Sequence, residues 1–598
     1  MQRAPIVNDF AIRVATANGS GSQSSNTVLL RALFQMGIPV SGKNLFPSNI
    51  AGLPTWYTIR LSRRGYVARK REVDLLVAMN PATVAEDVAA LRPGAAVLYD
   101  APLRPAAPPA GLTTYALPFD ALAAAACPEA RLRKLVKNMC YVGALAWLLA
   151  VELEEVERAI ARQFSAKPKA RELNLAAARA GFEGARASLV KEDPFRAERM
   201  DANLGELIVD GNTAAAAGAL FGGVTVLAWY PITPSSSLAE ALIGYLGEHR
   251  LAPDGKATYA VMQAEDELAA LGAVIGAGWA GARAMTATSG PGISLMSEFA
   301  GLGYFAEIPA VIWDVQRVGP STGLPTRTAQ GDLLSTAFLS HGDTRQVLLL
   351  PGTVEECFEL GWRAFDLAEE LQTPVFVLSD LDLGMNNWTA APFTYPDGPM
   401  RRGKVLGKEE LDRLGGFARY RDADGDGVGW RTLPGTPHPA AAYFTRGTGH
   451  DETSAYSEDP EVFERNLARL SRKLDRAREL LPAPLLEGPG AKVGILACGS
   501  SHHAVVECRD QLREERGLET DYLRVRAWPF AAAVREFVEA HERVYVVDQN
   551  RDGQLAALLT LDLPPGLVPR VRSLAHLDGL PLDARTVTEL LLAREDQP

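Results

Sequence analysis

Short apolar runs, many of them closed by Gly, Pro, Ser or Asn, punctuate the chain from end to end. Runs of this length and bounding predict strands at 12–17, 74–78, 95–99, 224–229, 259–262, 311–315, 375–378, 493–497 and 544–547. Helical stretches lie between them, at 27–33, 81–91, 131–156, 211–220, 263–282 and 504–515. Strand and helix therefore alternate, which is the pattern of doubly wound sheets. The fold class expected is α/β, with three α/β domains. Boundaries fall at 1–195, 205–395 and 489–598, with an irregular arm and one amphipathic helix over 396–488. In that helix Phe463, Leu467, Leu470, Leu474, Ala477 and Leu481 recur every three or four residues. The polar stretch 191–203 reads as a linker.

The most constrained segment is Tyr230-Pro231-Ile232-Thr233-Pro234-Ser235-Ser236-Ser237. Two prolines remove backbone donors and fix φ, so neither a helix nor a central strand can pass through. The serines suit a helix N-cap. The result is a stiff turn that holds a hydroxyl at the carboxyl end of a strand, where open α/β sheets place their ligands. Further along, Glu265, Asp266 and Glu267 stand where a helix begins and satisfy its dipole. The turn Thr286-Ala-Thr288-Ser289-Gly-Pro-Gly292 has a shape suited to phosphate or pyrophosphate contact. Arg317 opens a Gly/Pro-locked loop and is a candidate carboxylate clamp.

Two other stretches draw attention. Gly19-x-Gly21-x-x-Ser24 lacks one glycine of the dinucleotide fingerprint, and no acidic ribose partner follows, so NAD is disfavoured. Residues 41–57 mix Gly, Pro and Asn breakers with Lys43, Phe46, Trp56 and Tyr57. They read as a loop facing a ligand or a partner, or one tacked down by its aromatics.

Composition narrows the function classes. The 598 residues are 47% hydrophobic and 22% charged, with a net charge of −11. That balance argues against a nucleic-acid-binding surface. The run 139–151 is too short to cross a bilayer, and the N-terminus has no signal-peptide profile, so no membrane span is expected. Five scattered cysteines form neither a disulfide framework nor an iron–sulfur motif, which suits a reducing cytoplasm. His502 and His503 read as loop histidines with no ligand set. Asp422-x-Asp424-x-Asp426-Gly427 resembles a calcium loop but carries Leu433 at the twelfth position, where a glutamate is required. Its Gly425-Asp426-Gly427 also starts a magnesium motif, yet 451–460 holds no Asn to complete it.

Taken together the motifs resemble the 2-oxoacid:ferredoxin oxidoreductase family. They are Gly211-Asn-Thr-Ala-Ala, Tyr230-Pro-Ile-Thr-Pro-Ser-Ser, Gln263-Ala-Glu-Asp-Glu, Thr286-Ala-Thr-Ser-Gly-Pro-Gly and Gln316-Arg-Val-Gly-Pro-Ser-Thr-Gly-Leu-Pro-Thr326, in the family's order. The chain is similar to an α subunit with the family's γ domain fused in front, and to the 2-oxoglutarate branch. The resemblance implies a central thiamine-diphosphate-binding-like domain and a C-terminal domain like that of transketolase. It implies conversion of 2-oxoglutarate and coenzyme A to succinyl-CoA and carbon dioxide, with electrons passed to ferredoxin. Thiamine diphosphate is shared with a β subunit, which would carry Mg²⁺ and a [4Fe-4S] cluster, in an α2β2 assembly.

Residue roles follow from the same resemblance. Glu265 matches the catalytic glutamate that hydrogen-bonds the aminopyrimidine ring. Tyr230, Pro231, Ile232, Thr233, Thr288 and Ser289 match cofactor-side positions. Thr233, Arg317 and Thr326 match residues around the substrate carboxylate. Lys43, Asn44, Ser48 and Asn49 are candidates to read the distal carboxylate of 2-oxoglutarate. Asp266 and Glu267 are expected to cap the helix. The alternatives are the same reaction on pyruvate or a branched-chain 2-oxoacid, a non-catalytic scaffold subunit, and a stand-alone NAD dehydrogenase.

Overall fold

The computed structural model describes residues 4–47, 52–105 and 109–596. Ser48 and Asn49 lie outside the described residues. The chain forms two compact units, one of Met1–Val209, Asn386–Pro392 and Asp583–Arg585, the other of Asp210–Met385, Phe393–Leu582 and Thr586–Pro598. The architecture is α/β throughout, and no helix among the described residues is long and apolar enough to cross a membrane.

The first unit holds a six-stranded sheet in the order Val40–Leu45, Pro54–Ser62, Asp9–Ala17, Leu75–Ala78, Ala96–Asp100, Thr113–Leu117. The first three strands pair antiparallel and the rest parallel. Residues 41–57 are thus not one ligand-facing loop. Lys43 and Asn44 sit on a strand, paired with Thr58 and Tyr57. Period-two alternation across the breakers, with Tyr57, Ile59 and Leu61 pointing into the core, outweighs local breaker chemistry.

The helical run expected over 131–156 splits into Ala130–Leu149 and Leu153–Gln163, with Ala150 left-handed between them at φ 57°. The stretch 191–203 is docked and not a linker. Phe195–Arg196 pairs with Ile6–Val7, and buried Asp193 accepts from the Tyr115 hydroxyl at 2.6 Å.

In the second unit a seven-stranded sheet runs Ala260–Gln263, Val226–Trp229, Ala284–Thr288, Ala310–Gln316, Pro374–Asp380, Val347–Leu349, Ala527–Trp528. Only the last pairing is antiparallel. The chain leaves Val226–Trp229 toward the edge and then returns past it to Ala284–Thr288. That reversal is the topological switch point, so the carboxyl ends of four strands open on one crevice. A five-stranded sheet follows, in the order Leu485–Glu487, Asp521–Val525, Val493–Cys498, Arg543–Asp548, Val571–Ala575.

The amphipathic helix is present as Pro460–Leu480, with Leu470, Leu474 and Ala477 buried. It is fastened by charge as well. Arg469 and Lys473 both reach Glu307, which is fully buried, at 2.6 and 2.9 Å. The three aspartates of the calcium-like loop pair with cations, Asp422 with Arg472 and Asp424 and Asp426 with Lys404. His502 and His503 lie within the helix Ser501–Arg516 and not in a loop. His502 packs on Tyr522, and burial drops its imidazole to about 3.

Candidate functional site at the carboxyl edge of the central sheet

The Tyr230–Ser237 turn follows the Val226–Trp229 strand and leads into the helix Ser236–His249. Its serines do not cap forward. The hydroxyls of Ser235 and Ser236 donate backward to the Ile232 carbonyl, at 3.0 and 3.2 Å, and no side chain caps the helix. The reason is local: with prolines at 231 and 234 the turn is tight enough to bring the Ile232 carbonyl within reach of both hydroxyls. The Thr233–Pro234 peptide is cis.

Asn212, whose place in the Gly211 motif gives no local sign of a role, holds this turn in place. Its buried side-chain amide donates to the Pro234 carbonyl at 3.0 Å and to the Ser237 hydroxyl at 2.8 Å. The helix that carries it, Gly211–Phe221, can lie that close because it is built from Gly and Ala. A Cβ on Gly218 would stand 2.2 Å from the Phe358 carbonyl of the neighbouring helix.

Arg317 joins the turn to the next loop. One terminal nitrogen donates to the Thr233 carbonyl at 2.7 Å and the other to the Thr322 carbonyl at 3.1 Å. The side chain is buried, and that desolvation lowers its affinity for the proton, while Asp332 and Glu267 oppose the shift. The 318–327 loop closes on itself through Val318 N–H to the Arg327 carbonyl at 3.0 Å, so Thr326 sits at the base of the loop that Arg317 opens. The Thr326 hydroxyl accepts from Arg327 at 3.1 Å.

Glu265 projects from the turn after the Ala260–Gln263 edge strand and is exposed. It stays beside the Tyr230 turn because Ala264 N–H donates to the Trp229 carbonyl at 2.9 Å. Of the two neighbouring acids, Asp266 is the cap, accepting from Ala269 N–H at 2.7 Å. Glu267 is not a cap. It is buried in the first turn of the helix, and desolvation raises its carboxyl. Gly292 makes room there, since a Cβ would fall 1.9 Å from the Thr288 hydroxyl and 2.6 Å from Glu267 Cγ. Thr288 and Ser289 are buried. Thr288 donates to the Ser289 carbonyl at 3.3 Å, while the hydroxyls of Ser289 and Thr286 have no partner.

The crevice opens into a cavity of about 640 Å³ bounded by Arg317, Gly290, Ser294, Asp332, Asn550 and Gln554. Residues of the C-terminal sheet reach it because Asp380, at the end of its strand, accepts from Ser500 at 2.5 Å and Gln330 at 3.1 Å. Thr233 and Arg317 are thus joined by a hydrogen bond, Thr326 lies at the base of the Arg317 loop, and Glu265 follows the neighbouring edge strand beside the Tyr230 turn. Lys43 and Asn44 belong to the other unit. There the Lys43 amine lies 3.6 Å from the centre of the Trp388 ring, and Asn44 N–H donates to the Asn386 side chain at 2.8 Å.

This geometry, an open α/β sheet with a carboxylate, an arginine and a stiff threonine turn at its switch point, defines a ligand-binding class of fold, and the comparisons specify it. Residues 217–396 match the family model described as pyruvate flavodoxin/ferredoxin oxidoreductase, thiamine diP-bdg, and residues 11–184 match pyruvate ferredoxin/flavodoxin oxidoreductase. The chain is 32% identical over 615 residues to 2-oxoacid:ferredoxin oxidoreductase 2, subunit alpha, of Aeropyrum pernix, covering 92% of each chain. It is 37% identical over 355 residues to 2-oxoglutarate synthase subunit KorA of Methanothermobacter thermautotrophicus, covering 58% of this chain and 88% of the relative. A solved structure, 2-oxoglutarate:ferredoxin oxidoreductase from Magnetococcus marinus with 2-oxoglutarate, coenzyme A and succinyl-CoA bound, superposes with a TM-score of 0.88 at 30% identity, covering 99% of this chain and 100% of that one. The chain belongs to the 2-oxoacid:ferredoxin oxidoreductase family.

Proposed function

We propose that the chain is the α subunit of a 2-oxoglutarate:ferredoxin oxidoreductase, which converts 2-oxoglutarate and coenzyme A to succinyl-CoA and carbon dioxide and reduces ferredoxin. The observation that carries this reading is the convergence of Thr233, Arg317 and Glu265 on one switch point, with Arg317 bonded to the Thr233 carbonyl. The KorA relatives and the bound 2-oxoglutarate of the Magnetococcus marinus structure support the choice of acid.

The residues present fit one half of thiamine diphosphate. Glu265 offers an exposed carboxylate for the aminopyrimidine ring, and unpartnered hydroxyls at Thr286 and Ser289 lie under the same edge. When bound, the cofactor supplies a carbanion for the keto carbon and a sink for the electrons of decarboxylation. Among the described residues no group of three or more His, Cys, Asp or Glu is placed to hold a metal. The diphosphate grip, Mg²⁺ and a [4Fe-4S] cluster are assigned, on the family resemblance, to a β subunit in an α2β2 assembly.

The roles of this chain's groups follow from their placement. Glu265 holds a proton at the aminopyrimidine ring nitrogen and so favours the tautomer that acts as base. Arg317 and Thr326 orient the substrate carboxylate, through a charge-assisted fork and a hydroxyl. Tyr230, Pro231, Ile232 and Thr233 form the stiff wall that excludes water from the reacting carbons. Lys43 and Asn44, with Ser48 and Asn49, are assigned to the distal carboxylate.

The test is steady-state reduction of ferredoxin by the co-expressed complex with 2-oxoglutarate, pyruvate and a branched-chain 2-oxoacid. One charge-assisted contact to the second carboxylate is worth about 1.5–3 kcal/mol, so kcat/KM should favour 2-oxoglutarate by roughly 10- to 100-fold. Equal or better turnover of pyruvate would overturn the assignment of substrate and leave the reaction class standing.

A further inference from the structure

Beside the Arg317 cavity two aspartates meet, and no other residue donates to Asp314 or to Asp332 Oδ2. Asp314 lies on the Ala310–Gln316 strand, in register with Thr288 on one side and Leu378 on the other. It is fully buried, and neither of its carboxylate oxygens has a donor. It faces Asp332, which precedes the short helix Leu333–Ala337 and whose Oδ2 also has no donor. The two side chains are within hydrogen-bond reach of each other. Asp332 is anchored through its backbone N–H, which donates to the Gln316 side chain at 3.1 Å. Its carboxyl packs against Gly290, where a Cβ would stand 2.8 and 2.9 Å from the two oxygens.

Two carboxylates in contact, with Asp314 sealed from water, cannot both be ionised, because on the buried side neither hydration nor a cation offsets their repulsion. A proton must lie between them. The surroundings say which side holds it. Asp314 is sealed among strands, and burial together with the neighbouring carboxyl pushes it well above the usual carboxylate range. Asp332 borders the cavity and lies near Arg317. Burial raises it too, but the hydrogen bond from Asp314 and the guanidinium both draw it back toward the anion. The arrangement is therefore an acid at Asp314 that donates to an anion at Asp332.

We infer that Asp314 and Asp332 form a one-proton carboxyl pair that positions the substrate grip, placing a single negative charge behind Arg317 and fixing the Gly290 turn beside it. This rests on the proposed role of Arg317 as the holder of the substrate carboxylate. One charge leaves the guanidinium free to keep its bonds to the Thr233 and Thr322 carbonyls and to receive an incoming carboxylate. A second charge would compete with the substrate for the same cation. The other charged groups nearby are Glu267 on the Glu267–Trp279 helix, Asp380 at the end of the adjacent strand, and the Arg551–Asp552 pair across the cavity. The helices Gly290–Leu295 and Leu333–Ala337 contribute none.

Asp314→Asn keeps the donor and the single charge but has no proton to lose. Asp314→Ala removes the donor and frees Asp332 to pair with Arg317. In the holoenzyme, KM for the 2-oxoacid should rise at least tenfold in Asp314→Ala with kcat changed less, and Asp314→Asn should restore it. The alkaline fall of kcat/KM that marks loss of the shared proton should vanish in Asp314→Asn. The infrared carbonyl band of a protonated carboxyl should be present in the full chain at neutral pH and absent in Asp314→Asn, whatever the activity. An unchanged band, or equal KM in the Ala and Asn variants, would overturn the inference. Arg317→Lys separates the two readings. If it leaves KM for the 2-oxoacid unchanged, the carboxylate-grip role fails, while the infrared band still reports on the pair.

Discussion

Truncating Asn212 tests whether the stiffness of the Tyr230 turn is borrowed from its neighbour. The Asn212 amide makes two bonds to the turn, at 3.0 Å to the Pro234 carbonyl and 2.8 Å to the Ser237 hydroxyl, and the residue is 1% exposed. Each bond is worth about 1 kcal/mol net, and a buried carbonyl stripped of its donor costs about 1–3 kcal/mol more. Asn212→Ala should therefore weaken the held geometry by about 3 kcal/mol. If that loss falls on the placement of Thr233, kcat/KM for the 2-oxoacid should drop by about 100-fold, since 1.36 kcal/mol is a factor of ten. Ser237→Ala removes the hydroxyl partner alone, without stripping a buried carbonyl, and should cost about fivefold. The double variant should be no worse than Asn212→Ala, because both changes act on one contact. The assay is steady-state, coenzyme-A-dependent reduction of ferredoxin, with thermal unfolding measured in parallel. The reasoning fails if folded Asn212→Ala keeps kcat/KM within about twofold, or if Ser237→Ala costs as much as Asn212→Ala.

Glu265→Gln should lower kcat by about 10²–10⁴ without changing thermal stability, because the side chain is exposed and its loss is chemical; a drop below tenfold would remove it from the catalytic role. Gly292→Ala should destabilise the second unit by several kcal/mol, about 3 or more, since its Cβ meets Thr288 at 1.9 Å and Glu267 at 2.6 Å; unchanged thermal unfolding would show that the turn can yield. Lys43→Ala should raise KM for 2-oxoglutarate and leave pyruvate turnover alone, measured in the same complex. Acid unfolding should shift to lower pH in His502→Gln. Burial lowers the folded imidazole to about 3 from the ordinary 6.5, so the unfolded chain binds the extra proton and stability falls as pH drops through that window. Removing the group should flatten the slope there by up to about 1.4 kcal/mol per pH unit.

What the sequence carried and what it hid divide along physical lines. Short continuous apolar runs and breaker-bounded turns located the strands of the central sheet, most of them buried on both faces, and placed Thr233, Glu265 and Arg317 each just after one of those strands. Side-chain direction was hidden. Serine next to a helix start reads as a cap, yet the hydroxyls of Ser235 and Ser236 both donate back to the Ile232 carbonyl. Burial partners were hidden as well. Asn212, Asp314, Asp332 and Asp380 owe their roles to residues 18 to 120 positions away, and no local pattern records that. The 191–203 stretch read as a linker for the same reason, since its polar residues are satisfied by Tyr115 and a two-residue strand far off in sequence.

The strand nearest Glu265 is also the least protected in the sheet. Ala260–Gln263 is exposed along its whole length and forms the sheet edge at the switch point. Tyr230, Val261, Met262, Leu268 and Leu295 are exposed in the elements around it. Proteins normally guard such an edge with charge, Pro or a cover, because a bare strand recruits other chains. Here the charge that would guard it is the Glu265 carboxylate, which the proposed chemistry requires to be directed at a cofactor and not at water. With Asp266 committed to the helix cap, Glu267 buried and Glu265 assigned to a ligand, such an apolar edge is a surface for a partner to cover. A β subunit that brings the diphosphate half of the site would bury the edge and desolvate Glu265 in the same step. Arg317 needs no such cover: its cation is already buried, held by two carbonyls and balanced by Asp332. On this view the chain completes its carboxylate grip alone and leaves its cofactor-facing edge for a partner to finish.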